Sequence, residues 1–416
     1  MELTSRTVSA EKPSAVEEFK RTEGVLLMSN MPDMRLDPYP WYASMLETNP
    51  VTFSSEFRAF LVFRADDVRK VLSDYQTFSS AIFDGLSLDL PFENQLTGMD
   101  PPRHTQIRAL ATHAFTPKAV LELEPRMNLI VNCLLDEMLA KQESDFVHDF
   151  AIPFPITVIA EILGVPDKDR VKFKYWSDVI VRISDRLLSG LSDSLPEHIA
   201  AYNEMTDFFR SLLQERRRQP QGDLISRLAL AEVEGRQLTD MEASNFCVIL
   251  MVAGNETTTN LLTNAMRTFA EHPDQWELLR QEPRLIPQAV DEIMRYRTSV
   301  QFITRIVKQD GEIGGVKIKA GERVAAFLGA ANRDPAKYEN PNVFDITRPS
   351  GANMTFGHGI HFCLGAPLAR LEMTAALKEM IHRVDTFKVP EVAVLEPLNA
   401  INLLGLKSLP LQIIGR

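Results

Sequence analysis

Around positions 240–270 the sequence describes a helix that has no face to offer to water. Thr239 followed by Glu242 is a capping-box pair, which starts a helix by satisfying two of its free N–H groups. The turns that follow, FCVILMVA (246–253), are apolar on every side. A helix of that kind must be enclosed by other elements, so it runs through the centre of the fold. The chain has the means to enclose it, with 416 residues of which 45% are hydrophobic.

The surrounding pattern is mostly helical. Periodicity near 3.6 predicts helices at about 38–49, 117–140, 155–163, 168–188, 197–218, 274–280, 285–296 and 366–382, separated by short loops rich in Pro, Gly and Asp. Residues 60–74 read as a strand turning into a helix. From 302 to 330 extended segments broken at GEIGG (311–315) and AGE (320–322) predict small antiparallel hairpins, and a short strand-like tail ends at Ile414. Residues 78–99 carry no sustained period and predict a long loop, a feature that is often functional. The fold class expected is mainly α with small β-sheets, as a flexible segment 1–34 and a single domain 35–416.

Composition removes several functions. Acidic residues outnumber basic ones 56 to 45 for a net charge of −11, which disfavours non-specific binding to nucleic acid or to anionic membranes. Three cysteines, Cys133, Cys247 and Cys363, give neither a disulfide framework nor a CxxC metal site. The early residues lack the pattern of a secretory signal. The longest clean apolar run, Phe246–Gly254, falls short of the ~20 residues that span a bilayer. A cytoplasmic protein without a membrane anchor is expected.

Three stretches carry chemistry. In the central helix the apolar run gives way to GNETTTN (254–260), whose polar groups must be bonded to one another, hydrated or facing a cavity. Gly254 permits a close approach, and Glu256 with Thr257 offers an acid beside a hydroxyl, a pair suited to moving protons. Glu292 and Arg295 in EIMR lie three apart on one helical face: a surface ion pair, or the core of a network holding the irregular stretch 331–348. In FGHGIHFCLG (356–365), Cys363 sits among glycines just ahead of a helix whose first turn holds Pro367. Nearby N–H groups at that helix start lower a thiol pKa and steady a thiolate. The local features leave four roles open: nucleophile, redox thiol, packed core residue, or axial thiolate of a planar cofactor such as haem.

FGHGIHFCLG resembles the haem-ligand signature of the cytochrome P450 superfamily. AGNETT (253–258) is similar to that family's oxygen-activation segment, EIMR (292–295) to its Glu–Arg pair, and NRDP with Phe344 and Arg348 to the loop that the pair helps to hold. MDPPRHTQIR (99–108) resembles the segment that meets the haem from the other side. The resemblance covers about 35–414 and implies haem b between the central helix and the cysteine loop, with Cys363 as the iron ligand. It implies that His104, Arg108, Arg305 and His361 bind the propionates, that Phe356, Gly357 and Gly365 crowd the cofactor near the sulfur, and that Ala253 and Gly254 line its other face. Thr257 and Glu256 would deliver protons, while Glu292, Arg295 and Arg348 would be structural. Asn255 departs from the His found in many relatives and leaves the acid–alcohol pair intact.

The activity implied is insertion of one oxygen atom from O2 into a C–H bond of a hydrophobic small molecule. Electrons would come from a separate ferredoxin or flavodoxin with its reductase, since no such domain is fused. Substrate-lining positions implied by the family are Ile82, Phe83, Leu250, Val300, Phe302, Leu403 and Leu404, nearly all apolar. Gln301 and Asn402 are possible polar handles, and Arg182 or Arg186 a possible carboxylate grip. The wording of several segments resembles a bacterial subgroup acting on fatty acids, terpenoids and steroids. A macrolide-tailoring role and a non-catalytic haem-thiolate sensor are the alternatives.

Overall fold

The computed structural model describes residues 35–82, 95–114, 116–141, 143–173, 175–177, 179, 196–233 and 235–415. The expected flexible segment 1–34, Phe83, Arg182 and Arg186 lie outside the described residues. In chain order the elements are helix α1 (Tyr39–Thr48), strands β1 (Val51–Ser54) and β2 (Ala59–Val62), α2 (Ala65–Ser73), β3 (Phe78–Ser79), α3 (Arg103–Ala114), α4 (Pro117–Leu121), α5 (Glu124–Leu139) and β4 (Glu143–Asp145). A π-helical turn, Val147–Ala151, leads into α6 (Pro153–Leu163), α7 (Pro196–Arg218) and α8 (Leu224–Leu230). The small pair β5 (Glu232–Val233) and β6 (Arg236–Gln237) precedes the central helix α9 (Asp240–Glu271). Then come α10 (Pro273–Gln281), α11 (Ile286–Tyr296), β7 (Phe302–Val307), β8 (Gly311–Ile313), β9 (Val316–Ile318), β10 (Arg323–Phe327), α12 (Leu328–Ala331), α13 (Ala366–Arg383), β11 (Val384–Lys388) and β12 (Pro410–Gly415). The fold is mainly α-helical with small sheets, and among the described residues no helix is long and apolar enough to cross a membrane.

The 32-residue helix α9 starts where the capping box puts it. Thr239 Oγ1 accepts from the Glu242 N–H at 3.2 Å, and Glu242 Oε2 accepts from the Thr239 N–H at 3.1 Å. It packs against α6, α7, α8, α10, α11 and α13, which is how its all-round apolar surface is covered. A five-stranded sheet in the order β1-β2-β10-β7-β3 lies to one side, antiparallel except for the β2–β10 pair. Its layer encloses an aromatic cluster of Tyr42, Phe63, Phe302 and Phe327.

Three differences from the sequence expectation have local causes. The expected helix 117–140 is two helices, because Pro125 lacks an N–H and begins a new first turn at Glu124. Helix α3 escapes the periodicity test because its inward positions include His104, which counts as polar although it is buried. In the hairpin region Gly311 is part of β8, and the turn falls on Gly314 and Gly315, with φ of +55° and +85°.

Candidate haem-thiolate site

The Cys363 turn is built by backbone geometry. Gly357 and Gly359 hold φ of +71° and +73°, a left-handed conformation that disfavours any side chain. At Gly359 a Cβ would lie 2.5 Å from the Leu72 carbonyl oxygen, so this glycine also seats the turn on the end of α2. The Cys363 N–H donates to the Phe356 carbonyl at 3.0 Å, closing the loop. A Cβ at Gly365 would sit 3.8 Å from Cys363 Sγ. Phe356 is partly buried, and the Arg370 guanidinium lies 5.3 Å from its ring centre.

Cys363 is accessible as a residue. Protein atoms nonetheless crowd its sulfur, and that desolvation pushes the thiol pKa up, against the lowering by the Gly365 and Ala366 N–H groups and the Arg108 cation. The expected lowering of the thiol pKa is therefore corrected for the protein by itself. The helix-start N–H groups act in the foreseen direction, and burial outweighs them.

Beside the thiol stands a cluster of basic groups. The His104 and His361 rings lie 4.1 Å apart. Both ring nitrogens of His104 and Nε2 of His361 are buried without a hydrogen-bond partner. Burial, the Arg108 charge and, for His361, the charge of Arg305 hold their pKa values down, to about 4 for His104 and about 3 for His361. Arg305 is 5% exposed. It donates to the Thr304 carbonyl at 3.0 Å and has no carboxylate within ion-pair distance among the described residues. Arg108 donates to the Phe362 carbonyl. Orphaned donors and cations buried together fit a ligand that brings its own negative charges, as the two propionates of haem would.

On the central helix, Ala253 is exposed and Thr257 partly so, in the middle of an otherwise buried element. The Thr257 hydroxyl donates to the Ala253 carbonyl at 2.5 Å, which leaves its oxygen as an acceptor. The reading of Gly254 as a place for the cofactor to approach is corrected: a Cβ there would meet Ile159 Cδ1 at 2.7 Å, so the glycine serves the packing of α9 on α6. Asn255 is buried and its amide donates to Ser177 Oγ at 2.8 Å.

The Glu292–Arg295 pair is buried, with both residues 2% exposed. Arg295 makes a two-pronged bond to the carboxylate, at 2.7 and 2.8 Å, and donates to the carbonyls of Asn332, Pro341 and Val343. Arg348 Nε lies 3.2 Å from Glu292 Oε2, and the Asp345 N–H donates to Glu292 Oε1 at 3.1 Å. The pair thus satisfies backbone groups of the irregular stretch after α12.

The expected substrate lining separates into two groups. Val300 and Leu403 are partly accessible and face each other across an antiparallel bridge, and Ile82 is partly buried. Phe302 and Leu404 are 5% and 2% exposed within the aromatic core, and Leu250 is buried in the main core, so these three are corrected to packing residues. Gln301 is corrected as well, since its side chain is used up by the Tyr42 hydroxyl at 2.9 Å and the Thr298 carbonyl at 2.6 Å. Asn402 Oδ1 is buried without a partner.

One buried acid escapes the sequence reading. Glu372 on α13 accepts from the Thr258 hydroxyl at 3.2 Å, and burial pushes its carboxyl up to about 8. Its place between the buried Leu368 and Ala376, four residues to either side, was the available signal.

The cytochrome P450 family matches residues 52–414 of this chain. The putative cytochrome P450 YjiB of Bacillus subtilis is 43% identical over 372 residues, covering 89% of this chain and 92% of its own length. The erythromycin C-12 hydroxylase of Saccharopolyspora erythraea is 41% identical, covering 82% and 86%. The structure of CYP109E1 from Bacillus megaterium in complex with testosterone aligns with a TM-score of 0.82 at 40% identity, covering 90% of this chain and 99% of that one. The glycine-shaped cysteine turn, the basic cluster around His104 and Arg305 and the partly accessible acid–alcohol turn of the central helix all lie within that match, and the chain belongs to the cytochrome P450 family.

Proposed function

We propose that residues 35–416 form one catalytic unit that holds haem b through Cys363 and hydroxylates a fatty acid, terpenoid or steroid. As in its family, the chain is a haem-thiolate monooxygenase. The observation that carries it is the cluster of buried His104 and Arg305 with half-buried His361 and Arg108 beside Cys363, which is short of negative charge. Haem held by Cys363 would supply the oxygen chemistry, with the thiolate as its electron-rich ligand.

The protein's own part is positioning, proton supply and exclusion of water. His104, His361, Arg108 and Arg305 hold the carboxylates of the cofactor by charge-assisted bonds, and that negative charge raises the histidine pKa values from their depressed state. The Thr257 oxygen, left as an acceptor by its bond to Ala253, would hold a proton-bearing partner, and Glu256 would renew protons from solvent. Val300, Leu403 and Ile82 offer apolar surface, which orients a hydrophobic substrate by shape, at about 1–3 kcal/mol per methylene. Electrons come from a separate ferredoxin or flavodoxin and its reductase. Similarity to the erythromycin C-12 hydroxylase favours a macrolide as the second reading.

Two measurements test this. Cys363→Ser, reconstituted with haem, loses the thiolate-type absorption of the reduced carbon monoxide complex; an unchanged band rejects the ligand assignment. Fatty acids, terpenoids, steroids and macrolides are then screened for type I spectral shifts and turned over with a surrogate ferredoxin, its reductase and NADPH. Spectral binding without product under every electron supply would make the protein a sensor.

A further inference from the structure

One face of the central helix is tied to a ribbon formed by residues 299–301 and 402–404. The Leu404 N–H donates to the Ser299 carbonyl at 2.7 Å, and the Gln301 N–H donates to the Asn402 carbonyl at 2.8 Å. Between these bonds Val300 and Leu403 stand opposite each other. Positions 257, 260 and 264 of the helix fall on the side facing this ribbon, as the spacing i, i+3, i+7 requires. Asn264 donates to the Leu404 carbonyl at 2.9 Å. Gly405 approaches Asn260 so closely that a Cβ would lie 2.2 Å from its Oδ1. At Thr257 the tie is the side chain of Ser299, whose hydroxyl donates to the Thr257 carbonyl at 2.8 Å.

We propose that Ser299 is a positioning residue for Thr257, linking the substrate-facing ribbon to the proton-delivering turn. The inference rests on the reading of Thr257 given under Proposed function. Two hydroxyls act on one turn of helix. Thr257 Oγ1 reaches back to the Ala253 carbonyl, and Ser299 Oγ holds the Thr257 carbonyl from outside the helix. The first bond uses the Thr257 proton and leaves its oxygen as an acceptor. The second fixes the peptide that carries that side chain. Ser299 is itself buried, so the hydroxyl it would otherwise leave unpaired gives the bond a definite partner. Because Val300 is the next residue, a substrate pressing on Val300 and Leu403 bears on the same ribbon that pins Thr257.

The test compares wild type, Ser299→Ala, Ser299→Thr, Thr257→Ala and the Ser299→Ala/Thr257→Ala pair, all as purified haem-loaded protein. Hydrogen–deuterium exchange is followed in peptides covering 253–262, with 286–296 as the reference region. Product formed and peroxide released per NADPH are measured with a surrogate ferredoxin and reductase, using whichever of lauric acid and testosterone gives the larger type I shift. In Ser299→Ala, exchange at 253–262 rises about fivefold, the equivalent of one net hydrogen bond, while the reference peptides stay as in wild type. Product per NADPH falls, peroxide rises, and Ser299→Thr restores both. Ser299→Ala adds nothing to Thr257→Ala, because the two act as a unit. Wild-type exchange or wild-type coupling in Ser299→Ala, or losses that add in the double variant, overturns the assignment. Full coupling in Thr257→Ala would instead strike down the role of Thr257, and with it that of Ser299.

Discussion

Glu372 makes the stability of this protein depend on pH in a direction opposite to that of an ordinary surface carboxylate. It is 1% exposed, and its Oε1 has no hydrogen-bond partner. Burial lifts its pKa from 4.5 to about 8, partly offset by the Thr258 hydroxyl. The folded state therefore keeps a proton that the unfolded chain releases. Stability is fully present below pH 4.5, falls as pH rises through the interval to about 8, and stays reduced above it. The span corresponds to roughly 5 kcal/mol, at about 1.4 kcal/mol per pH unit. Glu372→Gln keeps the shape and removes the titration. With an unfolding entropy of about 0.8 kcal/mol/K for a chain of this size, the variant should melt about 6 °C above wild type at pH 9 and only about 1 °C above it at pH 5. Water admitted to an ionised Glu372 reduces these figures and leaves their sign. Differential scanning calorimetry of the haem-loaded proteins from pH 5 to pH 9 reads the difference directly. A constant difference across that range, or a wild type that melts higher at pH 9, would refute the argument from burial.

The buried pair and the cysteine turn give two further outcomes. Arg295→Lys cannot reproduce the two-pronged bond to Glu292 together with three carbonyl contacts, so the variant should lose about 3–5 kcal/mol and release haem on mild heating; wild-type haem retention would show that the network is expendable. Gly359→Ala combines a left-handed φ with a backbone clash on Leu72, whereas Gly315→Ala has the same kind of φ in open space. The former should abolish the thiolate-type spectrum and the latter should cost only about 1–2 kcal/mol of stability, measured by carbon monoxide difference spectra and thermal melts; equal behaviour of the two would show that the contact with α2 is immaterial.

The features legible in the sequence are those set by a few neighbouring residues. The capping box at Thr239 and Glu242 forms a ring of local bonds, and the helix begins there. The turn at Gly314 and Gly315 needs positive φ, which glycine supplies. The Glu292–Arg295 spacing brings the two side chains together on one face of α11. Reading by period failed where the inward side chain is polar, as at His104 in α3, and where one proline divides a run, as at Pro125. The family resemblance placed Phe302, Leu250 and Leu404 on a substrate wall where the structure packs them in the core, because an apolar side chain carries no mark of whether it faces a cavity or the core.

From its order of residues this protein owes a buried central helix, a glycine-formed turn around Cys363, and an acid beside an alcohol at Glu256 and Thr257. These follow from steric limits and hydrogen bonds within a few residues. Only the tertiary structure settled that Gly254 faces Ile159, that Glu372 is shut away against Thr258, and that Ser299 holds the Thr257 carbonyl. Burial and pairing between distant residues depend on which elements pack against each other, and the charge a side chain can carry follows from that packing.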